Sequence, residues 1–330
     1  MSLAATQAAA ALRARFEAAG AQVVEPAILQ PAETLLDLYG EDIRGRAYVT
    51  ADPARGELML RPDFTVPVVE AHMRAGASPA RYTYAGPVFR RQEADPGRAS
   101  EYLQVGYELL GGGRPVDADA EVFALFSDIL SDYPLRPVTG DIGILTAAVQ
   151  GLALSPARQA ALMRHLWRPR RFRALLERYA GRRPVPPTRA ALLAEPDPMA
   201  RATPMIGKRT EAEIAARLAA LRADADEPPL PADQLALIDA VLSVRETCPN
   251  ALERLRDLAV DLPTLDPALA ACEARLEALA ARGIAVDTLD FEASYGRTSM
   301  EYYDGFVFGF VVAARPDLPP LATGGRYDAL

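Results

Sequence analysis

Residues Tyr82–Leu110 read YTYAGPVFRRQEADPGRASEYLQVGYELL, and the reading of this stretch decides the fold. Tyr82, Tyr84, Val88 and Phe89 supply aromatic and β-branched character on the way in, and Tyr102, Val105 and Tyr107 supply it on the way out. Between them lies a polar segment centred on Pro96 and Gly97. That pattern predicts two strands joined by a long loop, a place where binding residues are often carried on a rigid support. Arg90 stands near the end of the incoming strand and Arg98 in the loop. Gln104 and Glu108, four apart on the outgoing strand, share one face because strand side chains repeat every two residues. Two guanidinium forks suit an anionic ligand, and a Gln and Glu on one face suit a polar cationic group. The plainer reading is that arginines at strand ends are solvated, in a chain rich in arginine throughout.

Composition narrows the class. The chain has 330 residues, of which 50% are hydrophobic and 24% charged, with a net charge of −8. This fits a soluble globular protein of one large or two modest domains. No apolar run approaches membrane-spanning length, and the N-terminus MSLAATQAAAALRARF lacks a basic region before its apolar part. A cytoplasmic location is expected, with no membrane partner. Cys248 and Cys272, the two cysteines, lack metal-ligand spacing and are expected to be reduced thiols, Cys272 in the core. Neither a metal nor a cofactor is expected. The acidic balance argues against a tRNA partner, because phosphate neutralisation drives such binding. Lys208 is the single lysine.

Outward from the hairpin, residues 6–19 are expected to form a helix capped by Thr6 and closed by Gly20, with Leu12 and Phe16 on one face. AQVVEPAILQPAE reads as a strand interrupted by Pro26, which favours an edge or an interface. RAYVTAD and GELMLRPD read as a hairpin around Pro53–Gly56. In RPDFTVPVVEAHMR, Asp63 and Thr65 place an acid and a hydroxyl at a strand-to-helix junction, able to accept from an ammonium group or simply to cap the helix. A helix over 117–133 carries Val122, Phe126, Ile129 and Tyr133 on one face, and RPVTGDIGILTAAVQGL reads as a strand turning into a helix.

From about Ser155 to Arg282 the composition shifts to Ala, Leu, Arg and Glu with proline punctuation. Thr210 and Glu213 spell a capping box, 232–245 and 251–259 read as further helices, and Asp266 with Pro267 opens a last helix that closes at Gly283. His165, Trp167 and the basic run Arg168–Arg173 lie here, and read as packing residues and a solvated helix face. VDTLDFEASYGRTSMEYYDGFVFGFVV and PPLATGGRYDAL return to strands. The fold class expected is α+β: an antiparallel sheet flanked by helices, built from both ends of the chain, with a helical insertion. Residues 1–154 and 284–330 form the core, and 155–283 the insertion. GGGRPVD lacks the Lys and hydroxyl of a phosphate loop.

PVFRRQEADPGRASEYLQVGYELLG resembles motif 2 of the class II aminoacyl-tRNA synthetases, and within them the histidyl branch. There an FR-x-E core precedes GR and then a Gln and a Glu four apart. Arg90, Arg98, Gln104 and Glu108 match, and Gln92 replaces the usual Glu. Arg61, Pro62, Asp63 and Thr65 resemble the branch's RPE-x-T segment, with Asp63 for Glu. YYDGFVF resembles its second histidyl signature, with Tyr302 and Tyr303 as the paired tyrosines, and GGRYDAL the strand near it. The resemblance implies a class II synthetase-like sheet, a dimer contact around Pro26, and a histidine site. Asp63, Thr65 and Gln104 would hold the α-ammonium, with Tyr302 and Tyr303 beside Glu108 at the imidazole.

The pattern breaks on the ATP side. The second signature begins with an Arg that touches the histidine carboxylate and the α-phosphate, and here the matching residue is Thr298, followed by Ser299. Arg297 is shifted by one, which on a strand points to the other face. Losing a cation aimed at developing charge costs roughly 3–4 kcal/mol. Motif 3 and the anticodon-binding domain, expected after GGRYD, do not follow before Leu330. A pocket that keeps histidine but loses activation is a sensor, so the chain is similar to the ATP phosphoribosyltransferase regulatory subunits. That resemblance implies no catalytic residue of its own, self-association to a dimer, and a short-form catalytic subunit as partner. It also implies histidine as ligand and feedback inhibition by it, with Arg90 and Arg98 left as a vestigial nucleotide or anion site. Two alternatives stand beside it: a truncated or divergent histidyl-tRNA synthetase, and a synthetase-like enzyme activating another amino acid for a different acceptor.

Overall fold

Ser2, rather than Thr6, starts the first helix. Helix α1 spans Leu3–Ala18, and the Ser2 hydroxyl accepts the Ala5 N–H at 3.2 Å. The alanine-rich run favours helix in both directions, so the helix extends to the earlier cap, and Thr6 donates its hydroxyl back to the Ser2 carbonyl. Gly20, at φ +92°, ends it as the sequence indicates. The computed structural model describes residues 2–39, 43–76, 78–92, 99–200, 209–297, 302–315 and 317–328. They divide into two units. The first comprises Met1–Val138, Ala271–Leu289 and Glu301–Leu330, and the second Thr139–Ala270 and Asp290–Met300.

In the first unit, Pro26 separates two short strands instead of interrupting one. Strand β1 (Gln22–Val23) runs parallel to the central hairpin, while β2 (Leu29–Pro31) enters a different sheet. Helices α2 (Ala32–Tyr39) and α3 (Ile43–Arg46) follow, then the hairpin of β3 (Val49–Asp52) and β4 (Gly56–Leu60). Its turn is closed by Asp52, whose carboxylate accepts the N–H groups of Ala54 and Arg55 at 2.8 and 3.0 Å. The order of this sheet is β2-β4-β3, so Pro31 sits on an edge strand. Ala32, Leu35, Ile43, Ala47, Met59 and Val66 bury together over it.

Helix α4 (Thr65–Ala75) leads to the central hairpin, β5 (Ala80–Phe89) and β6 (Glu101–Leu110), in a sheet of order β1-β5-β6. The antiparallel register sets Tyr82 opposite Glu108, Tyr84 opposite Gly106 and Gly86 opposite Gln104. Phe16 of α1 packs on this sheet, its ring 5.6 Å from that of Tyr107. Helix α5 spans Pro115–Ile129, so Tyr133 falls beyond its end and is 47% exposed instead of lying on its buried face.

Strand β7 (Leu135–Asp141) carries the chain into the second unit, where Asp141 caps helix α6 (Ile142–Gln150) through the Gly143 N–H at 2.7 Å. Next come α7 (Pro156–Arg164), α8 (Pro169–Tyr179), α9 (Pro187–Ala194), α10 (Glu211–Asp226) and α11 (Ala232–Ser243). The Thr210–Glu213 capping box forms as the sequence indicates. Buried Arg158 binds Asp224 at 2.7 Å and the Pro228 carbonyl at 3.0 Å, tying α7 to the end of α10. Strand β8 (Arg245–Thr247), helix α12 (Cys248–Ala259), helix α13 (Asp266–Ala281) and strand β9 (Asp290–Glu292) follow, with β8 and β9 antiparallel. The end of α13 belongs to the first unit.

The chain closes in the first unit with β10 (Phe306–Val312) and β11 (Ala322–Gly325), an antiparallel pair. Phe306, Phe308 and Phe310 alternate along β10 and set their rings 6.0, 5.4 and 5.7 Å from that of Phe123 on α5. The two ends of the chain do share a sheet, since β7 and β10–β11 lie in one, but the β5–β6 hairpin lies in another. Alternation identifies a strand but not its partner, because pairing is decided by contacts distant in sequence. Among the described residues no helix is long and apolar enough to cross a membrane.

Candidate functional site

Glu108 is the centre of a buried polar cluster in the first unit. Its place on β6 faces the start of α4, and Thr65 of that helix donates its hydroxyl to Glu108 Oε1 at 2.9 Å. Tyr84, on the neighbouring strand, donates to the same oxygen at 3.1 Å. Tyr327, just after β11, donates to Glu108 Oε2. Tyr302 donates to Thr65 Oγ1 at 3.2 Å, completing a chain of hydroxyls from Tyr302 through Thr65 to the carboxylate. Asp63 accepts the Thr65 N–H at 3.2 Å, so it orients the first turn of α4 while staying 3% exposed. Asp63 therefore both fixes the backbone at the start of α4, whose N-cap is Phe64, and lies at the cluster.

Aromatic rings wall this cluster. The Tyr302 ring lies 4.9 Å from Tyr303 and 5.7 Å from Tyr327, both edge-on. Tyr84 stacks on Phe64 at 4.2 Å, and the Arg61 guanidinium sits 3.8 Å from the other ring's centre. Arg61 is held there by the carbonyls of Pro26 and Pro87 at 2.6 and 2.9 Å. Gly106 makes room for Tyr84, because a Cβ there would meet its hydroxyl oxygen at 2.2 Å.

The electrostatics follow from burial. Among the described residues, the Glu108 carboxylate is met by three neutral hydroxyls and by no cation. Burial pushes its pKa above the ordinary Glu value; the three hydrogen bonds oppose this, and the nearby Asp63 carboxylate adds to it. The phenols of Tyr84, Tyr327 and Tyr303 are pushed up by burial first and by Glu108 next, so they remain donors across physiological pH. Such a cluster accepts positive charge: a protonated amine or ring reaching it would meet a buried carboxylate held only by hydroxyls among the described residues.

Of the sequence-derived candidates, Asp63, Thr65, Glu108, Tyr302 and Tyr303 come together here. Gln104 lies on the same face of β6, and its Oε1 is buried without a hydrogen-bond partner among the described residues. Arg90 donates to the Pro62 carbonyl at 2.8 Å and lies 5.6 Å from the Tyr102 ring centre, so its guanidinium is partly engaged in fixing the backbone before α4. Arg98 and Thr298 lie outside the described residues. Arg297 belongs to the second unit, where it donates to the Leu166 carbonyl at 2.9 Å under the Phe172 ring. Sequence reasoning passed over Tyr84 and Tyr327. Tyr327 stands within the GGRYD segment, which was the available signal, and Tyr84 needed the strand register.

The sequence matches the family model for histidyl-tRNA synthetase over residues 2–223 and 210–330. It is 34% identical to an ATP phosphoribosyltransferase regulatory subunit from Brucella canis over 97% of this chain and 89% of that protein. The counterpart from Brucella abortus shows the same 34% identity and the same coverage. A solved structure from Bacillus halodurans, described as an ATP phosphoribosyltransferase regulatory subunit/histidyl-tRNA synthetase, shares the fold with a TM-score of 0.65 at 22% identity, over 98% of this chain and 72% of that one. Histidyl-tRNA synthetase from a Nostoc species gives a TM-score of 0.65 at 16% identity, over 99% of this chain and 66% of that one. The fold is thus that of the class II synthetases, and the chain belongs to the histidyl-tRNA synthetase family, as one of its ATP phosphoribosyltransferase regulatory subunits.

Proposed function

We propose that the protein binds free histidine at the Glu108 cluster and uses that binding to regulate a short-form ATP phosphoribosyltransferase catalytic subunit. The observation that carries this reading is the Glu108 carboxylate, buried among three hydroxyl donors and, among the described residues, without a cation. Histidine brings two groups that answer it. Its imidazole N–H, or imidazolium, reaches Glu108, and its α-ammonium takes Asp63, Thr65 and Gln104 Oε1, which has no hydrogen-bond partner among the described residues. Tyr302 and Tyr303 flank the ring. Activation of the amino acid is not part of this function, because position 298 carries Thr where the resembled synthetases use Arg. Arg297 turns to Leu166 and Phe172 instead.

Regulation follows if the complex has an active and an inhibited arrangement and histidine binds the inhibited one more tightly. The regulatory chain alone activates the catalytic subunit, works as a dimer in the cytoplasm, and does not bind tRNA. The test is reconstitution. The protein is added to the short catalytic subunit, and phosphoribosyl transfer to ATP is followed with and without histidine. Stimulation that histidine reverses is the expected result. An unchanged rate and an unchanged histidine response would overturn the reading.

A further inference from the structure

Among the described residues, Arg61, Arg158, Arg275 and Arg297 are nearly inaccessible. Arg158 meets the Asp224 carboxylate at 2.7 Å and Arg275 meets that of Asp119 at 3.0 Å. Arg297 belongs to the second unit and donates to the Leu166 carbonyl. Arg61, 4% exposed, makes no ion pair among the described residues. Its Nε and Nη1 donate to the carbonyls of Pro87 and Pro26, its guanidinium carbon lies 3.8 Å from the centre of the Phe64 ring, and Nη2 makes no hydrogen bond. Burial holds its pKa below the ordinary Arg value, and no carboxylate opposes this. A buried cation is costly unless an anion completes it.

Gly86 shows where Nη2 stands. The register sets Gly86 directly opposite Gln104, and opposed residues share a face of the sheet. Gln104 in turn shares its face with Glu108, four residues on. A Cβ at Gly86 would point into that face and meet Arg61 Nη2 at 2.7 Å and Phe64 Cζ at 3.1 Å. Gly86 is half-buried, so the missing side chain leaves this edge of the guanidinium uncovered. Opposed Cβ positions lie about 5 Å apart, and from that distance the Gln104 side chain starts. Its Oε1 is buried without a hydrogen-bond partner among the described residues. An idle donor and an idle acceptor thus stand side by side on the hairpin face that carries Glu108.

We propose that Arg61 reads the α-carboxylate of the ligand, Nη2 donating to the carboxylate while Gln104 Oε1 accepts from the neighbouring ammonium. This role rests on the histidine reading of the Glu108 cluster, and it narrows the ligand to the free amino acid. Ammonium and carboxylate sit on one carbon, so an acceptor and a cationic donor set next to each other recognise the two together. The arginine that touches the histidine carboxylate in the resembled synthetases is replaced by Thr298, which leaves that task to another cation. A ligand without a free carboxylate leaves the buried guanidinium unmatched and is discriminated against.

The test compares histidine with histidinol, which keeps the ring and the ammonium and carries an alcohol in place of the carboxylate. Both are titrated calorimetrically into the full-length protein. The parent should prefer histidine by about tenfold or more, the scale of one charge-assisted hydrogen bond. Two variants locate the preference. Arg61→Met removes the cation, and Gly86→Ala keeps it but sets a methyl against Nη2. In both, the ratio of the two affinities should fall toward one while histidinol binding is kept, and Gly86→Ala decides alone if Arg61→Met does not fold. The proposal is overturned, with the histidine reading intact, if the parent binds histidine and histidinol alike. It is overturned in the same way if the preference survives in Gly86→Ala, which would give the carboxylate to another cation such as Arg90. If the parent binds neither compound, the histidine reading falls and the role of Arg61 falls with it.

Discussion

Glu108→Gln separates charge from shape at the buried cluster. The amide keeps an acceptor for Thr65 and Tyr84, and the Tyr327 hydroxyl can turn to accept, so the fold should persist. Histidine binding should fall about ten- to hundredfold, the loss expected for a hydrogen bond to a charged group of roughly 1.5–3 kcal/mol. Calorimetric titration measures it, and an unchanged affinity would place histidine elsewhere. The same substitution has a pH signature. Glu108 has a folded pKa raised above its unfolded value, so its contribution to stability is fully present below the unfolded pKa and is lost as pH rises through the folded one. Ionisation in the folded state is the disfavoured step. Melting temperatures recorded from below pH 4.5 upward should therefore show the Gln variant gaining on the parent as pH increases, and saturating histidine should shrink that gain. At this scale the sequence exposed Asp63, Thr65, Gln104 and Glu108, because short motifs and the two-residue strand period place them. It did not expose Tyr84 or Tyr327, whose roles depend on what stands opposite them.

The β5–β6 hairpin is the element on which the cluster is built. Tyr84 crosses to Glu108 only because the register puts Gly106 opposite it and leaves the strand face open. Gly106→Ala would set a methyl 2.2 Å from the Tyr84 hydroxyl oxygen and 2.3 Å from Cζ. Overpacking of this kind costs about 1–3 kcal/mol. The expected outcome is a less stable protein by urea denaturation, together with weaker histidine binding as Tyr84 is displaced. Full affinity would mean that Tyr84 is not part of the site. The hairpin itself was legible, since aromatic and β-branched runs flank a Pro–Gly loop. The first helix begins a turn earlier than Thr6 because Ser2 is as good a cap and the alanine-rich run extends the helix to it. Pro26 was read as a break within a strand, where the chain in fact changes sheets.

At the scale of the whole molecule, the first unit is assembled from three separated stretches of chain, and Asp119 joins them. Its carboxylate meets Arg275 of α13 and Arg326 after β11, each at 3.0 Å, and both Asp119 and Arg275 are nearly inaccessible. The Arg275 guanidinium also lies 4.5 Å from the Phe306 ring centre and donates to the Cys272 sulfur. Removing one partner of a buried ion pair strands the other, at a cost of about 3–5 kcal/mol. Asp119→Ala should lower stability by that amount in urea, with the near-ultraviolet signal of the tyrosine-rich cluster lost first. A loss under about 1 kcal/mol, the scale of exposed pairs, would show that the pair does not hold the unit together. Cys272 is buried in the core as the sequence indicates, but the pairing of Asp119 with Arg275 and Arg326 carries no periodic signal.

The central claim is that this class II synthetase fold senses histidine without activating it. The most direct measurement is calorimetric titration of the purified protein with histidine, repeated with ATP and magnesium while pyrophosphate release is followed. The account predicts saturable histidine binding, unaltered by ATP, and no pyrophosphate. Histidine-dependent binding of ATP with release of pyrophosphate would contradict it.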